Sequence, residues 1–242
     1  MRDYQAETGN RAEFIRGALK ESGARGIVFG NSGGKDAALT GILCKLACDD
    51  TLGLIMPCGS KRNLGEDYND AMAVAEQYGI ESRTIYLTVT AEAIKYAIGE
   101  AAELTGAAAV NIAPRLRMAT LCAVAASENR LVAGTGNRSE RYMGYFTKWG
   151  DGAFDFNPIA DLTVTEVYEF LEHLGAPRGI IEKAPSAGLF DGQTDEGEMG
   201  VTYKSIDNFL FTGQCPETDM EIITRYHRTS AHKRSPPPTY GS

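Results

Sequence analysis

A glycine-rich segment between an apolar run and a helical pattern constrains the fold of this chain more than any other feature. The run "GIVFG" at residues 26–30 indicates a buried strand, and "DAALTGILCKLAC" at residues 36–48 has helical periodicity. Between them, "GNSGGKDAA" places Gly33 and Gly34 directly before the helix. Glycines let backbone amides approach a ligand closely, and a helix N-terminus attracts anions. The segment therefore predicts a phosphate-binding loop at the carboxyl end of a strand, where open α/β sheets bind ligands.

The alternation of strand and helix patterns continues after this unit. Apolar runs of strand length occur at residues 51–57, 83–89 and 130–135. Helical patterns occupy the stretches between them, at residues 66–79, 90–104 and 111–129. Such alternation is typical of parallel strands joined by right-handed crossovers. We therefore expect an α/β fold, a doubly wound parallel sheet with helices on both faces.

The chain after residue 136 has a different character. It is rich in glycine, aromatic and charged residues, and helical patterns follow near residues 163–174, 203–211 and 217–228. No internal repeat or clear linker divides the sequence. We expect a single domain over residues 1–242, with residues 235–242, "SPPPTYGS", as a flexible tail.

Composition argues against several classes of function. The 242 residues are 43% hydrophobic and carry a formal net charge of −8, whereas proteins that grip nucleic acid are expected to present a basic surface. No apolar stretch is long enough to predict a membrane span, and the N-terminus has no signal-peptide pattern. Five cysteines without a paired CxxC motif suit a reducing compartment. We expect a cytoplasmic protein that binds neither nucleic acid nor membrane.

The loop after the first strand is similar to a Walker loop but differs from it at two positions. Alignment on Gly34 and Lys35 places Phe29 where the first glycine belongs and Asp36 where a magnesium-binding hydroxyl belongs. A carboxylate beside phosphates repels them unless a cation lies between, so Asp36 is a candidate magnesium ligand. The local sequence is equally compatible with Asp36 as a helix N-cap and nothing more.

"SGGKDA" resembles the SGGxDS loop of ATP pyrophosphatases, which cleave ATP between the α and β phosphates. Four more segments, in order, are similar to ammonia-dependent NAD+ synthetases: "NIAPRLRMATLCAVA", "GTGNRSERYMGYFTKWGDGAFDFNPIADL", "PSAGLFDGQTDEGEMGVTYKSID" and "HKR". The resemblance runs from about residue 12 to residue 237 and implies an adenine-nucleotide alpha-hydrolase-like fold.

The resemblance also implies a two-step reaction. The carboxylate of nicotinic acid adenine dinucleotide (deamido-NAD) attacks the α-phosphate of ATP and releases pyrophosphate, and ammonia then displaces AMP to form NAD+. ATP is the co-substrate, Mg²⁺ the cofactor and a homodimer the usual assembly. No amidase-type domain with a nucleophilic cysteine fits the chain, so free ammonia is the expected nitrogen source unless a separate subunit supplies it.

Site residues are implied position by position. ATP binding is assigned to Gly30, Asn31, Ser32, Gly33, Gly34, Lys35, Asp36, Ala37, Thr135 and Ser186. Magnesium is assigned to Asp36 and Glu140. Binding of deamido-NAD is assigned to Arg115, Lys148, Asp151, Asp155, His232 and Lys233, and a catalytic role to Asp151 and Lys35. Read without the resemblance, Glu140 is typical of a helix start, Asp151 of a turn and His232 of an exposed tail.

Two positions depart from the family pattern. Ala37 stands where the loop usually has serine, and Val164 stands where a lysine usually contacts an ATP phosphate. We hypothesise that Lys35 supplies the charge that Val164 lacks; the alternative is that Lys35 points to solvent. The departures keep other functions open: a relative with a different carboxylate substrate, a nucleotide-binding module that has lost catalysis, or, with less support, a tRNA-modifying ATP pyrophosphatase.

Overall fold

A parallel sheet forms the centre of the molecule. The computed structural model describes residues 2–60, 64–183 and 194–241. Within these ranges the strands are β1 (Gly26–Gly30), β2 (Thr51–Ile55), β3 (Glu81–Thr84) and β4 (Arg130–Ala133). Their order is β3-β2-β1-β4, and each neighbouring pair is parallel. The chain steps outward from β1 to β3 and then returns to the other side of β1, which makes the β1–β4 boundary the switch point of the sheet.

The described residues also form helices along the whole chain. Those that alternate with the strands are α1 (Tyr4–Ser22), α2 (Lys35–Ala47), α3 (Glu66–Tyr78), α4 (Thr88–Gly99), α5 (Gly106–Val110) and α6 (Ile112–Glu128). Those that follow β4 are α7 (Arg138–Met143), α8 (Val164–Leu174), α9 (Arg178–Glu182), α10 (Asp195–Met199), α11 (Tyr203–Thr212), α12 (Glu217–Thr229) and α13 (Ala231–Arg234).

Side chains that alternate along β1 divide the core between two faces of the sheet. Ile27 and Phe29 belong to a cluster built largely by α1, α2, α3 and α8. Val28 belongs to a second cluster, built by α4 and α6. Because successive side chains of a strand point to opposite faces, helices cover the sheet on both sides. The predicted fold class, a doubly wound α/β sheet, is confirmed.

A third apolar cluster joins the helices that follow β4. Met143 of α7, Val164 of α8, Tyr203 of α11 and Ile223 of α12 are buried together. The ends of α7 and α8 therefore lie under a layer of C-terminal helices rather than at the surface. This layer closes one side of the region beyond the strand ends.

The predicted strand over residues 83–89 is wrong in its position. β3 lies at Glu81–Thr84, where burial alternates between exposed and half-buried, and α4 already begins at Thr88. The apolar residues that suggested a strand lie in the connection, where Leu87 is buried against the second cluster. An edge strand covered on one side carries a weaker apolar signal than a central strand, which explains the displacement.

Two further features bear on the predictions made from composition. Nowhere in the described ranges does a helix have both the length and the apolar character needed to cross a membrane. Residues 235–241, in the segment predicted as a tail, are exposed. The predicted single domain with a flexible tail remains a prediction.

Candidate active site

A cavity of about 590 Å³ opens at the carboxyl ends of β1 and β4. This is the switch point, the place where doubly wound sheets bind ligands. Its lining includes many residues assigned from the sequence: Gly30, Asn31, Ser32, Gly34, Lys35, Asp36, Ala37, Thr135, Glu140, Asp151 and Lys233. The fold thus brings the predicted ATP, metal and part of the predicted substrate positions around one space.

The loop after β1 is held in place by α3. Gly33 has a φ of +73°, and a Cβ atom added there would lie 2.1 Å from the backbone oxygen of Asp67. The buried amide of Asn31 donates to the backbone oxygen of Ala71 at 3.1 Å. Only glycine combines this φ with so close an approach, so the local sequence and α3 together set the path of the loop.

The start of α2 offers backbone amides to a ligand. Its N-cap residue, Gly34, has extended backbone and provides no side-chain cap. The Ser32 hydroxyl accepts a hydrogen bond from the Gly34 amide at 3.3 Å. The first-turn amides of a helix lack intrahelical acceptors, and the helix dipole favours an anion beside them. This end of the cavity is therefore suited to bind phosphate.

Asn137 connects the two carboxylates that were assigned to magnesium. Its side-chain nitrogen donates to Oδ1 of Asp36 at 3.0 Å, and its side-chain oxygen accepts from the Glu140 amide at 3.0 Å. Its own backbone amide donates to Oε2 of Glu140 at 3.1 Å, which completes a capping box at the start of α7. Asn137 is fully buried, so these bonds orient Asp36 and Glu140 relative to each other.

The electrostatics of this carboxylate pair favour a cation. Burial and the negative charge of Asp36 raise the pKa of Glu140 well above its usual range, although Lys35 partly counters the shift. Two carboxylates with phosphate oxygens and water form the donor set that Mg²⁺ prefers. No group of three candidate metal ligands was found among the described residues. The pair therefore fits a magnesium ion that is shared with a bound nucleotide.

Lys35 is buried beside this pair. Its Nζ lies 2.6 Å from Oδ2 of Asp36 and sits 6.0 Å and 5.7 Å from the ring centroids of Tyr168 and Tyr203. Burial alone lowers the pKa of Lys35, but the charges of Asp36 and Glu140 outweigh it and raise the pKa. The alternative that Lys35 points to solvent is wrong. Its predicted contact with pyrophosphate and its catalytic role remain predictions.

Asp151 and Lys233 also line the cavity, and their charges act on each other. Oδ1 of Asp151 accepts from the Thr147 amide at 3.0 Å. The residue is exposed overall, but the protein around its carboxyl group raises the pKa of Asp151. Lys233 donates to the backbone oxygens of Gly144 and Phe146 at 2.8 Å and 2.7 Å. Both side chains are thus held in place by backbone groups.

The other substrate positions lie outside the cavity lining as described. Arg115 is exposed, and Asp155 accepts from the Val132 amide at 2.7 Å, which ties it to β4. Lys148 donates to the backbone oxygen of His232 at 2.6 Å. Their predicted roles in substrate binding remain predictions. Ser186, assigned to ATP, lies outside the described residues.

Two basic residues of the cavity were not singled out from the sequence. Arg117 donates to the backbone oxygen of Met56 at 3.0 Å, and burial lowers its pKa. Lys183 donates to Asp67 and Asp70 at 2.7 Å and 2.6 Å. A signal existed for both, because Arg117 lies inside one family-like segment and Lys183 lies two residues before the start of another. Sequence alone does not show which way either side chain points.

The two departures have different surroundings. Ala37 lines the cavity close to the helix start, where a serine would present its hydroxyl. Val164 is 3% exposed and packs with Met143 and Tyr203 in the third apolar cluster. A valine at this position contributes to the core and brings no charge to the cavity.

Comparison with known proteins identifies the family of this chain. Residues 7–237 match the family model described as NAD synthase. The chain belongs to the NAD synthase family. The NH3-dependent NAD+ synthetase of Carboxydothermus hydrogenoformans is 44% identical over 97% of each chain. That of Alkaliphilus oremlandii is 45% identical over 94% of this chain and 93% of its own.

Solved structures of NAD synthase relatives have the same fold. The NMN synthetase of Francisella tularensis superposes with a TM-score of 0.94 at 37% identity and covers 100% of both chains. The NH3-dependent NAD synthetase of Campylobacter jejuni has a TM-score of 0.79 at 30% identity over 99% of both chains. The matches confirm the predicted NAD synthase family, its adenine-nucleotide alpha-hydrolase-like fold and the predicted class of enzyme, an ammonia-dependent amide-forming ligase.

Proposed function

We propose that the protein uses ATP and ammonia to convert deamido-NAD to NAD+, with release of AMP and pyrophosphate. The observation that carries this proposal is the Asp36–Glu140 pair, oriented by Asn137 beside the α2 N-terminus in the cavity of a NAD synthase fold. The curated relatives named above are called NH3-dependent NAD+ synthetases, which supports the same activity.

The phosphate-binding end of the cavity supports the first step of the reaction, the transfer of AMP from ATP to the substrate carboxylate. The loop around Gly33 and the first-turn amides of α2 bind the β and γ phosphates as they leave. Asp36 and Glu140 would hold Mg²⁺, which would neutralise phosphate charge. In this step the substrate carboxylate attacks the α-phosphorus, a new P–O bond forms, and the α–β phosphoanhydride bond breaks as pyrophosphate leaves.

The part of the cavity lined by Asp151 and Lys233 positions the carboxylate substrate, deamido-NAD. Arg117 and Lys233 line the cavity and place positive charge near Asp151. Both charges lower the pKa of Asp151 and so oppose part of its upward shift. The protein around the Asp151 carboxyl group raises its pKa, and a carboxylate that lines the cavity can take up the proton that the attacking ammonia loses. Asp151 is therefore the proposed catalytic carboxylate of the second step.

The decisive experiment is a product assay. Purified protein is supplied with deamido-NAD, ATP, magnesium and ammonium, and NAD+ and AMP are measured together. Equal amounts of NAD+ and AMP are expected, and Glu140→Gln should reduce both products. Binding of ATP without formation of AMP would instead identify a nucleotide-binding module and overturn the proposal.

A second candidate substrate is nicotinic acid mononucleotide. The TM-score of 0.94 with the Francisella tularensis NMN synthetase exceeds the 0.79 found for the Campylobacter jejuni NAD synthetase. The two substrates share the reacting carboxylate, and they differ because deamido-NAD carries an AMP moiety that nicotinic acid mononucleotide lacks. Equimolar competition between them, followed by chromatography of NAD+ and NMN, decides which is preferred.

We also propose a single-domain homodimer in the cytoplasm. Val89, Tyr96 and Tyr86 are 83%, 72% and 68% exposed and place apolar surface on and beside α4, where a second copy can cover it. All five cysteines are free, in keeping with a reducing compartment. Sedimentation of wild type and Tyr96→Glu tests the assembly; a wild-type monomer would contradict it.

A further inference from the structure

A lysine ammonium lies inside the proposed magnesium site. The side chain of Lys35 is 6% exposed, and its Nζ is 2.6 Å from Oδ2 of Asp36. The negative charge of Glu140 acts on the same ammonium group. Lys35 therefore places a positive charge beside both proposed metal ligands.

Both oxygens of Asp36 already have partners. Lys35 binds Oδ2, and Asn137 donates to Oδ1. A magnesium ion that binds Asp36 must approach this ammonium or replace it. Two cations a few ångströms apart in a buried site repel each other strongly, because the surrounding protein screens them far less than water does.

The surroundings of Lys35 allow its ammonium group to leave Asp36 without losing all stabilisation. The ring centroids of Tyr168 and Tyr203 lie 6.0 Å and 5.7 Å from the Lys35 Nζ, distances at which aromatic rings attract cations. Lys35 also lines the cavity that contains the phosphate-binding end of α2. An ATP polyphosphate there would attract the released ammonium group.

We propose that Lys35 is an internal counter-cation that competes with magnesium for Asp36 and yields this carboxylate only when metal arrives together with ATP. Free metal then binds weakly, because it gains the carboxylates but must displace Lys35. Metal with ATP binds well, because the phosphates supply negative charge for both cations. The inference rests on the proposed magnesium ligands, Asp36 and Glu140.

Metal titration of the nucleotide-free protein tests this proposal. Mn²⁺ serves as the probe, and bound metal is measured by electron paramagnetic resonance without ATP or substrate. Removing the competing charge with Lys35→Gln or Lys35→Met should tighten Mn²⁺ binding by about tenfold or more. Lys35→Arg keeps the charge and should bind as weakly as wild type.

The controls separate this effect from general changes in charge. Lys45→Gln alters the same helix at a lysine that binds Asp49, outside the cavity, and should leave Mn²⁺ affinity unchanged. Adding Asp36→Asn to Lys35→Gln should abolish the gain. Lys35→Gln retains an amide that can donate to Asp36, so it remains a test if Lys35→Met fails to fold.

Two outcomes would overturn the proposal. One is that folded Lys35→Gln binds Mn²⁺ no more tightly than wild type. The other is that the gain persists without the Asp36 carboxylate, which would place the metal elsewhere. Neither measurement depends on turnover, so the counter-cation and the proposed amidation can fail separately.

Discussion

Asn137 holds the Asp36 carboxylate across a sequence separation of 101 residues, through a hydrogen bond of 3.0 Å from its side-chain nitrogen. The same side chain caps α7 by accepting from the Glu140 amide. One buried amide thus joins the loop after β1 to the segment after β4. It orients both proposed metal ligands without itself presenting a charge.

Asn137→Ala should weaken metal-dependent activity while the fold persists. Loss of a residue that orients metal ligands reduces metal affinity or activity by roughly 10-fold to 100-fold. Loss of the helix cap adds about 1 kcal/mol of destabilisation. The measurements are the magnesium dependence of the rate and the free energy of unfolding in urea.

Thr202→Ala is the matched control for Asn137→Ala. Thr202 caps α11 by accepting from the Ser205 amide, so the variant loses a cap of the same kind away from the cavity. Its magnesium dependence should equal that of wild type. If the two variants show the same magnesium dependence, Asn137 does not position the carboxylates.

Gly33→Ala and Gly34→Ala should differ sharply in stability. Gly33 has a φ of +73°, and its new methyl group would lie 2.1 Å from the Asp67 oxygen. Gly34 has a φ of −91°, and its methyl group would meet only the Ser32 hydroxyl, at 3.4 Å. Strain plus a clash with backbone should cost Gly33→Ala more than about 2 kcal/mol.

Chemical unfolding of the two glycine variants measures this difference directly. Gly34→Ala controls for the loss of glycine from the same loop, and its stability should stay within about 1 kcal/mol of wild type. ATP binding should be weakened in Gly33→Ala, because its loop must move away from α3. Equal unfolding free energies would show that the Asp67 backbone does not constrain the loop.

Arg117→Gln should impair use of the carboxylate substrate. Arg117 is held by the Met56 oxygen and lies among the cavity residues near Asp151. Loss of a charged hydrogen-bonding group in such a site costs about 2 kcal/mol or more, which corresponds to roughly 30-fold in kcat/KM for that substrate. The KM for ATP should change much less.

Arg178→Gln serves as the control for Arg117→Gln. The Arg178 side chain is 87% exposed and pairs only distantly with Glu182, at 3.7 Å. Its steady-state kinetics should match those of wild type. A rise in the KM for ATP alone in Arg117→Gln would assign this arginine to the nucleotide instead.

Glu140 should make the metal-free protein less stable as pH rises. Folding raises the pKa of Glu140 above its ordinary value of 4.5, through burial and the charge of Asp36. Its contribution to stability is therefore full below pH 4.5 and is lost as the pH rises through the raised pKa. With EDTA present, Glu140→Gln should melt above wild type near pH 8 and approach it near pH 4.5.

Glu128→Gln provides a control of opposite sign. Hydrogen bonds from Arg83 and Arg130 lower the pKa of Glu128, so its ionised form stabilises the fold above its ordinary pKa. This variant should melt below wild type at neutral pH, and the difference should close as the solution is acidified. Parallel pH profiles for both variants would contradict the assigned environment of Glu140.

Local patterns predicted the parts of the structure in which neighbours in sequence determine conformation. The apolar run of β1, the glycines after it and the periodicity of α2 together place Asp36 at a helix start. The motifs after β4 likewise indicated the region of Glu140. Edge strand β3 was displaced in the prediction, because its half-exposed residues carry little apolar signal.

By itself the sequence determined the fold class, the family and which carboxylates are candidates for metal. The tertiary structure alone decided what those carboxylates contact. Asn137 reaches Asp36, and Lys35 is buried with its ammonium group near two tyrosine rings, only because β1 and β4 are neighbours under the C-terminal helices. Such partners lie far apart along the chain, and their meeting depends on packing that no local pattern encodes.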